Sequence, residues 1–306
     1  MYVTRTEATA NPQSFIEKTL QTIKVYTAVT KPRIMILLLF TAYCAMIVAQ
    51  KGFPDIYITI FTLVGLALSS GGSAAINMWY DRDIDAVMQR TAKRPLPAGM
   101  ADPRKVLWFG IVLEAVSFFL LAFAVNWLTA VFSLAGFVYY VFIYTMWLKR
   151  TTPQNIVIGG GAGAFPPLVG WAAVTGSVGL IAIVMFIVVF LWTPPHFWAL
   201  ALYKNEDYTR AGIPMMPVVR GPRVTKRQSV IYAALLLLAS ISVYFTHDAG
   251  PIYLVTAGLL GIAFLIYNIM NYRERDDSFV WAKRTFRFSV MYLPALFVLM
   301  VFSMGH

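Results

Sequence analysis

Nine apolar runs decide what this chain can become. They fall at 34–50, 56–78, 105–125, 127–147, 155–175, 178–202, 228–246, 251–271 and 286–304. A bilayer core about 30 Å thick takes roughly 20 apolar residues in helical form to cross. In lipid a spanning segment must satisfy its own backbone N–H and C=O groups, so these runs predict an all-α, polytopic membrane protein with nine transmembrane helices. Composition agrees, with 59% of the residues hydrophobic, 13% charged and a mean hydropathy of +0.67, a balance that no soluble globular domain approaches.

Positive charge supports the count, including the Gly- and Pro-rich fifth run. Of the 25 Lys and Arg residues, only Lys51 falls in a loop of the other parity; the rest lie before span one or in the even-numbered loops. By the positive-inside rule the N-terminus and the even loops face the cytoplasm and the C-terminus faces out. The loops on the outer face (50–55, 125–127, 175–179 and 246–251) are very short, so chemistry on polar groups belongs to the cytoplasmic side. His247 and His306 fall on the outer side and are expected to be solvated. The net charge of +11 is thus loop charge, and nucleic acid is not an expected partner.

A polar segment of over thirty residues precedes the first run and no secretory signal is evident, so span one is expected to direct its own insertion. Residues 1–13 are polar. Ser14-x-x-Glu17 has the form of a capping box, and Ile16, Leu20 and Ile23 opposite Lys18 and Lys24 predict an amphipathic interfacial helix closing near Pro32. The division is 1–33 for this N-terminal part and 34–306 for the membrane domain. Cys44 is the single cysteine, which excludes an intrachain disulfide.

The most informative stretch runs from Ser69 to Gly99, where span two is expected to pass without a break into a charged segment. Asn77, Asp81 and Asp85 recur every fourth residue, which on a helix stacks them on one face about 5–6 Å apart. Neighbouring carboxylates repel unless a cation sits among them, and oxygen ligands on one face suit Mg²⁺ completed by phosphate oxygens. Arg90, Lys93 and Arg94 follow, placed to balance phosphate charge. The alternative is a solvated helix end at the membrane surface.

Two later spans carry similar signals. Span five contains Gly159 to Trp171 with Pro166-Pro167, a pattern for close helix packing, with a bend at the Pro pair, or for lining a substrate cavity. Span six ends in Trp192-Thr193-Pro194-Pro195-His196-Phe197-Trp198 and runs on to Asp207, again an apolar helix emerging with acids near its end. A weak duplication, spans one to four against five to eight with span nine appended, would bring the two ends together. His196 inside a span reads as functional or as a satisfied interhelical contact, and Glu114 in span three as a buried partner to another helix.

The Asn77/Asp81/Asp85 ladder, Arg90-Thr-x-x-Arg94-Pro95-Leu96-Pro97, Thr30-Lys31-Pro32-Arg33, and Gly160 to Trp171 together resemble the UbiA superfamily of intramembrane aromatic prenyltransferases. Pro194-Pro-His196-Phe-Trp-Ala-Leu and Asp207-Tyr-x-x-Ala-Gly-Ile-Pro214-Met narrow the resemblance to its haem branch, the protohaem IX farnesyltransferases. It covers the chain from about residue 25. Ala211 stands four residues after Asp207 where wider relatives place a second acid, leaving Glu206 or Asn205 to compensate.

The resemblance implies nine helices around a cavity open to the membrane. It implies Mg²⁺, two ions by expectation, on Asn77, Asp81, Asp85 and Asp207, binding the diphosphate of farnesyl diphosphate. Lys31, Arg33, Arg90, Lys93, Arg94, Lys149 and Lys204 are the expected counter-charges. The allylic cation would add to a vinyl group of haem B, with water completing haem O. Tyr144 would stabilise the cation through its ring or else anchor the interface. His196 would meet the haem as an axial iron ligand or as a partner to a propionate. A haem A synthase or a terminal oxidase assembly factor is the expected downstream partner. The competing readings are a quinone-precursor acceptor in the same fold, a secondary transporter, and a non-catalytic protein that holds haem in the membrane.

Overall fold

A computed structural model describes residues 15–246 and 249–304. Among them, nine helices are long and apolar enough to cross a membrane: Pro32–Gln50, Ile56–Tyr80, Pro103–Ala124, Trp127–Thr151, Asn155–Thr175, Leu180–Tyr203, Met216–Thr246, Pro251–Arg273 and Val280–Ser303, numbered here as spans one to nine. Each matches one apolar run in order. Ser14, His247 and His306 lie outside the described residues, as do residues 1–13.

The largest difference in boundary is at span seven, which starts at Met216 rather than 228. Its first turns end at Gly221, whose φ of 79° and ψ of 166° suit glycine, and Pro222 then opens the long helical run. Ahead of span one, the helix Phe15–Val29 exposes Ile16, Leu20 and Ile23 along one side. Its end is pinned by Val29, which packs with Ala75, Met78, Leu96 and Val106, while the Tyr26 ring meets Phe109 edge-on at 4.9 Å.

Consecutive spans pack side by side, and span nine returns against span one to close the circuit. Contacts are most extensive between spans two and three, four and five, and six and seven, the first and last of which are equivalent pairs if the chain is duplicated. Spans one and five, also equivalent, lie against each other. Their approach is set by Gly170: a Cβ there would sit 2.1 Å from the backbone oxygen of Ala42.

Span five is irregular at a different point from the one expected. The Gly160–Ala164 stretch winds as a 3₁₀ helix, and the regular helix restarts at Phe165 with the Pro pair in its first turn. Proline lacks an N–H to donate backward and is accommodated where a helix begins, so the tightening falls before the prolines. In span four, Tyr139–Leu148 winds as a π-helix, wider than the α form.

Candidate active site

The acidic motif does not lie on one unbroken helix. Span two closes at Tyr80, Asp81 takes φ −86° and ψ 6°, and a short helix Arg82–Val87 follows. The i to i+4 bonds nevertheless persist, from Asp81 N to Asn77 O at 2.9 Å and from Asp85 N to Asp81 O at 2.8 Å. The fourfold spacing therefore still stacks the three side chains. All three are buried, Asn77 at 3%, Asp81 at 0% and Asp85 at 2% exposure, so the solvated helix end is excluded.

Four cations converge on the ladder from three segments. Lys31, just before span one, donates its ammonium to Asn77 Oδ1 at 2.7 Å. Lys149, at the end of span four, pairs with Asp81 Oδ2. Arg94 pairs with Asp85 Oδ2 at 2.7 Å. Arg150 lies 3.5 Å from Asp81 Oδ1 and binds Asp83 in a fork, with both contacts at 2.7 Å. The Arg150 hydrogen bonds hold the Asp83 carboxyl down at about 2. Asn77 Nδ2 completes the lattice, donating to Asp81 Oδ2 at 2.8 Å and to Thr145 Oγ1 at 3.0 Å.

Burial, reinforced by Arg94 and Lys149, pushes the Lys31 amine down to about 7 against the pull of Asp85 and Asp81. Lys31, Arg94, Lys149 and Arg150 thus present a cluster of basic groups around the ladder, an arrangement suited to a polyanion.

The loop after span six reaches this site where Tyr208 comes near Arg90 of the loop after span two. Arg90 lies within electrostatic reach of the Tyr208 hydroxyl, and Tyr208 packs with Met88, Ile156, Trp198 and Ile213, beside Tyr144 and Ile84. Asp207 is buried at 6%, with Arg210 its nearest cation at 3.6 Å. Glu206 is exposed, and Asn205 has a buried Oδ1 with no hydrogen-bond partner. Arg33, Lys93 and Lys204 are exposed. The ring of Tyr144 lies against the backbone of Gly159, where an added Cβ would be 2.2 Å from it, so Tyr144 packs against span five.

The sequence profile of the UbiA prenyltransferase family matches residues 38–291. The chain belongs to that family. It is 54% identical over 281 residues to a protoheme IX farnesyltransferase of Symbiobacterium thermophilum, covering 92% of this chain and 94% of the relative. It is 46% identical to that of Rickettsia bellii, covering 92% and 93%. Its fold is similar to that of digeranylgeranylglyceryl phosphate synthase, with a TM-score of 0.78 at 15% identity over 92% and 98% of the two chains. It is also similar to a UbiA homologue from Archaeoglobus fulgidus bound to DMAPP and Mg²⁺, with a TM-score of 0.64 at 19% identity over 90% and 99%.

The donor set of this UbiA prenyltransferase fits a hard divalent cation. Asp81 and Asp85 supply carboxylates, Asn77 an amide oxygen, and Asp81 Oδ1 is buried without a hydrogen bond. Mg²⁺ takes one or two protein carboxylates and fills its shell with phosphate oxygens and water. Among the described residues no three of His, Cys, Asp and Glu gather closely enough to hold a metal ion by themselves, so phosphate oxygens are needed to complete such a site.

His196 is half-buried in span six, away from the ladder. Its ring stacks between Trp192 at 4.2 Å and Phe286 at 4.8 Å, and its Nδ1 is 2.7 Å from Ser289 Oγ in span nine. Glu114 is buried, as expected, but neither of its carboxyl oxygens makes a hydrogen bond to another helix. Sequence reasoning passed over Thr145, Arg150 and Ser289. Arg150 adjoins a residue already singled out and was within reach of the charge argument; Thr145 and Ser289 carry no local signal.

Proposed function

We propose that this membrane protein transfers the farnesyl group of farnesyl diphosphate to a vinyl group of haem B, giving haem O and diphosphate. The observation that carries the proposal is the buried Asn77/Asp81/Asp85 ladder, ringed by Lys31, Arg94, Lys149 and Arg150. The acceptor follows from relatives at 46–54% identity over most of the chain that are named protoheme IX farnesyltransferase. No observation favours a quinone-precursor acceptor or transport.

Asn77, Asp81 and Asp85, with Asp207 from the loop after span six, would hold Mg²⁺, two ions on the family's pattern. Bound there, the metal supplies electrostatic stabilisation to the diphosphate as its charge grows. Lys31, Arg94 and Lys149 bind the same oxygens, with Arg33, Arg90, Lys93 and Lys204 around the mouth. Held charges of this kind act on the departing diphosphate more strongly in a buried site than in water. As the C1–O bond of farnesyl diphosphate breaks, the Tyr144 ring faces the allylic cation. C1 bonds to the terminal vinyl carbon; water adds at the carbon next to the macrocycle and loses a proton, leaving a hydroxyethylfarnesyl group. His196 binds the haem.

Residues 34–306 form the catalytic membrane domain, 1–33 the interfacial part. The N-terminus is cytoplasmic and the C-terminus is on the outer face of the cell membrane. Haem O is passed to a haem A synthase or a terminal oxidase assembly factor. The test is pigment analysis of membranes from cells expressing the chain: haem O is expected to accumulate. In purified enzyme, excess chelator is expected to stop its formation and Mg²⁺ to restore it. Undiminished turnover in chelator overturns the metal assignment, and absence of haem O overturns the reaction.

A further inference from the structure

Spans six and nine bring together, outside the diphosphate site, His196 and a set of side chains around it that the reaction above leaves without a role. Ser289 Oγ donates to Phe286 O at 2.6 Å, which commits the hydroxyl proton. The oxygen therefore accepts from His196 Nδ1–H at 2.7 Å, and the second ring nitrogen, Nε2, is left as the one with a lone pair. Trp192 Nε1 donates to the Ser289 carbonyl at 2.9 Å, and the rings of Trp192 and Phe286 clamp the imidazole from both faces. A histidine held this way, one N–H bonded to the protein and the other nitrogen unprotonated, is arranged as an iron ligand, and it is unable to donate to a carboxylate.

Two turns further along span six, about 10 Å by helical rise, stands Tyr203. Its ring meets Phe286 edge-on at 6.1 Å, and Lys283 Nζ lies 5.9 Å over it. Tyr203 lies within electrostatic reach of Arg287 on one side and of Arg90 on the other. Lys283 and Arg287 are exposed, one turn apart on span nine, at the end where positive charge meets the cytoplasmic interface. The rise from His196 to Tyr203, over whose ring Lys283 lies, is of the order of the reach from a haem's iron to its propionates.

We propose that spans six and nine form the acceptor subsite, with His196 Nε2 on the haem iron and Lys283 and Arg287 on the two propionates. This rests on the haem B reading above. It resolves the role of His196 as a ligand to iron, and makes Ser289 a positioning residue that fixes its tautomer. The charged propionates stay at the interface on charge-assisted bonds while the macrocycle enters the apolar layer. Tyr203, within electrostatic reach of both Arg287 and Arg90, links the two subsites.

The test compares haem B with its dimethyl ester, which lacks the propionate charges, in the full-length purified protein. Wild type is expected to show a KM for the ester at least tenfold above that for haem B. The Lys283→Gln/Arg287→Gln variant is expected to raise the haem B KM to the ester's value, with the KM for farnesyl diphosphate unchanged. The Lys283→Arg/Arg287→Lys swap is expected to keep the discrimination. Ser289→Ala is expected to weaken binding of haem B, followed by its Soret shift, in the absence of farnesyl diphosphate. Equal use of acid and ester by wild type, or discrimination intact in the Gln variant, overturns the proposal and identifies the basic pair as a lipid-phosphate anchor. A wild type that makes no haem O from either acceptor overturns the haem reading instead.

Discussion

Asp81 shows how one residue serves two opposed demands. Its carboxylate is fully buried, which is costly for an isolated charge, yet Lys149 and Asn77 hold one oxygen while the other is left without a hydrogen bond. Asp81→Ala is expected to lower haem O formation by about a hundredfold or more, the usual cost of losing one preorganised electrostatic group. The protein should remain in the membrane at its normal level. Immunoblotting against pigment yield separates the two effects. Lys31 is expected to work from the ligand side: its amine, depressed by burial and by neighbouring cations, should regain full charge when diphosphate binds. Lys31→Met is expected to raise the KM for farnesyl diphosphate about tenfold or more, in line with roughly 1.5–3 kcal/mol for a hydrogen bond to a charged group, with little change for the acceptor. Steady-state kinetics in both substrates checks this.

At the scale of elements, the site depends on helices that depart from regular winding. The turn at Asp81 and the π-wound part of span four both lie beside the ladder, and the latter carries Thr145 just ahead of Lys149 and Arg150. Spans one and five meet over Gly170, with no room for a side chain. Gly170→Ala is expected to destabilise the protein by about 1–3 kcal/mol or more, the range for overpacking a dense interior. Gly163→Ala, where an added methyl meets nothing within 4 Å, should leave it unchanged. Thermal unfolding of the two variants in the same detergent makes the comparison.

For the whole molecule, the alternation of charge across nine spans sets orientation, and the strong equivalent pairs, two with three and six with seven, agree with a duplicated plan. Met100, exposed in the loop after span two, is expected to face the cytoplasm, and Phe53, exposed in the loop before it, the outer face. Because the native Cys44 is buried, Met100→Cys and Phe53→Cys give clean labelling sites. A membrane-impermeant thiol reagent applied to intact cells should modify Phe53→Cys and leave Met100→Cys untouched; the reverse pattern inverts the topology.

The spans, their number and the acidic face were legible in the chain itself, because lipid imposes a length and an apolar composition on every crossing and the helix repeat sets which residues share a side. Those are local rules, and Asn77, Asp81 and Asp85 obey them within nine residues. Which cations meet those acids was only partly legible: Arg94 lies close in sequence, whereas Lys31 and Lys149 come from other spans. Thr145 on Asn77 and Ser289 on His196 depended on packing alone, since each contact joins residues distant in sequence and neither hydroxyl differs locally from the many others in these helices. Only the assembled bundle brings such pairs within hydrogen-bond reach, because in lipid the close fit of one helix on another, rather than any property of a single segment, selects the partners.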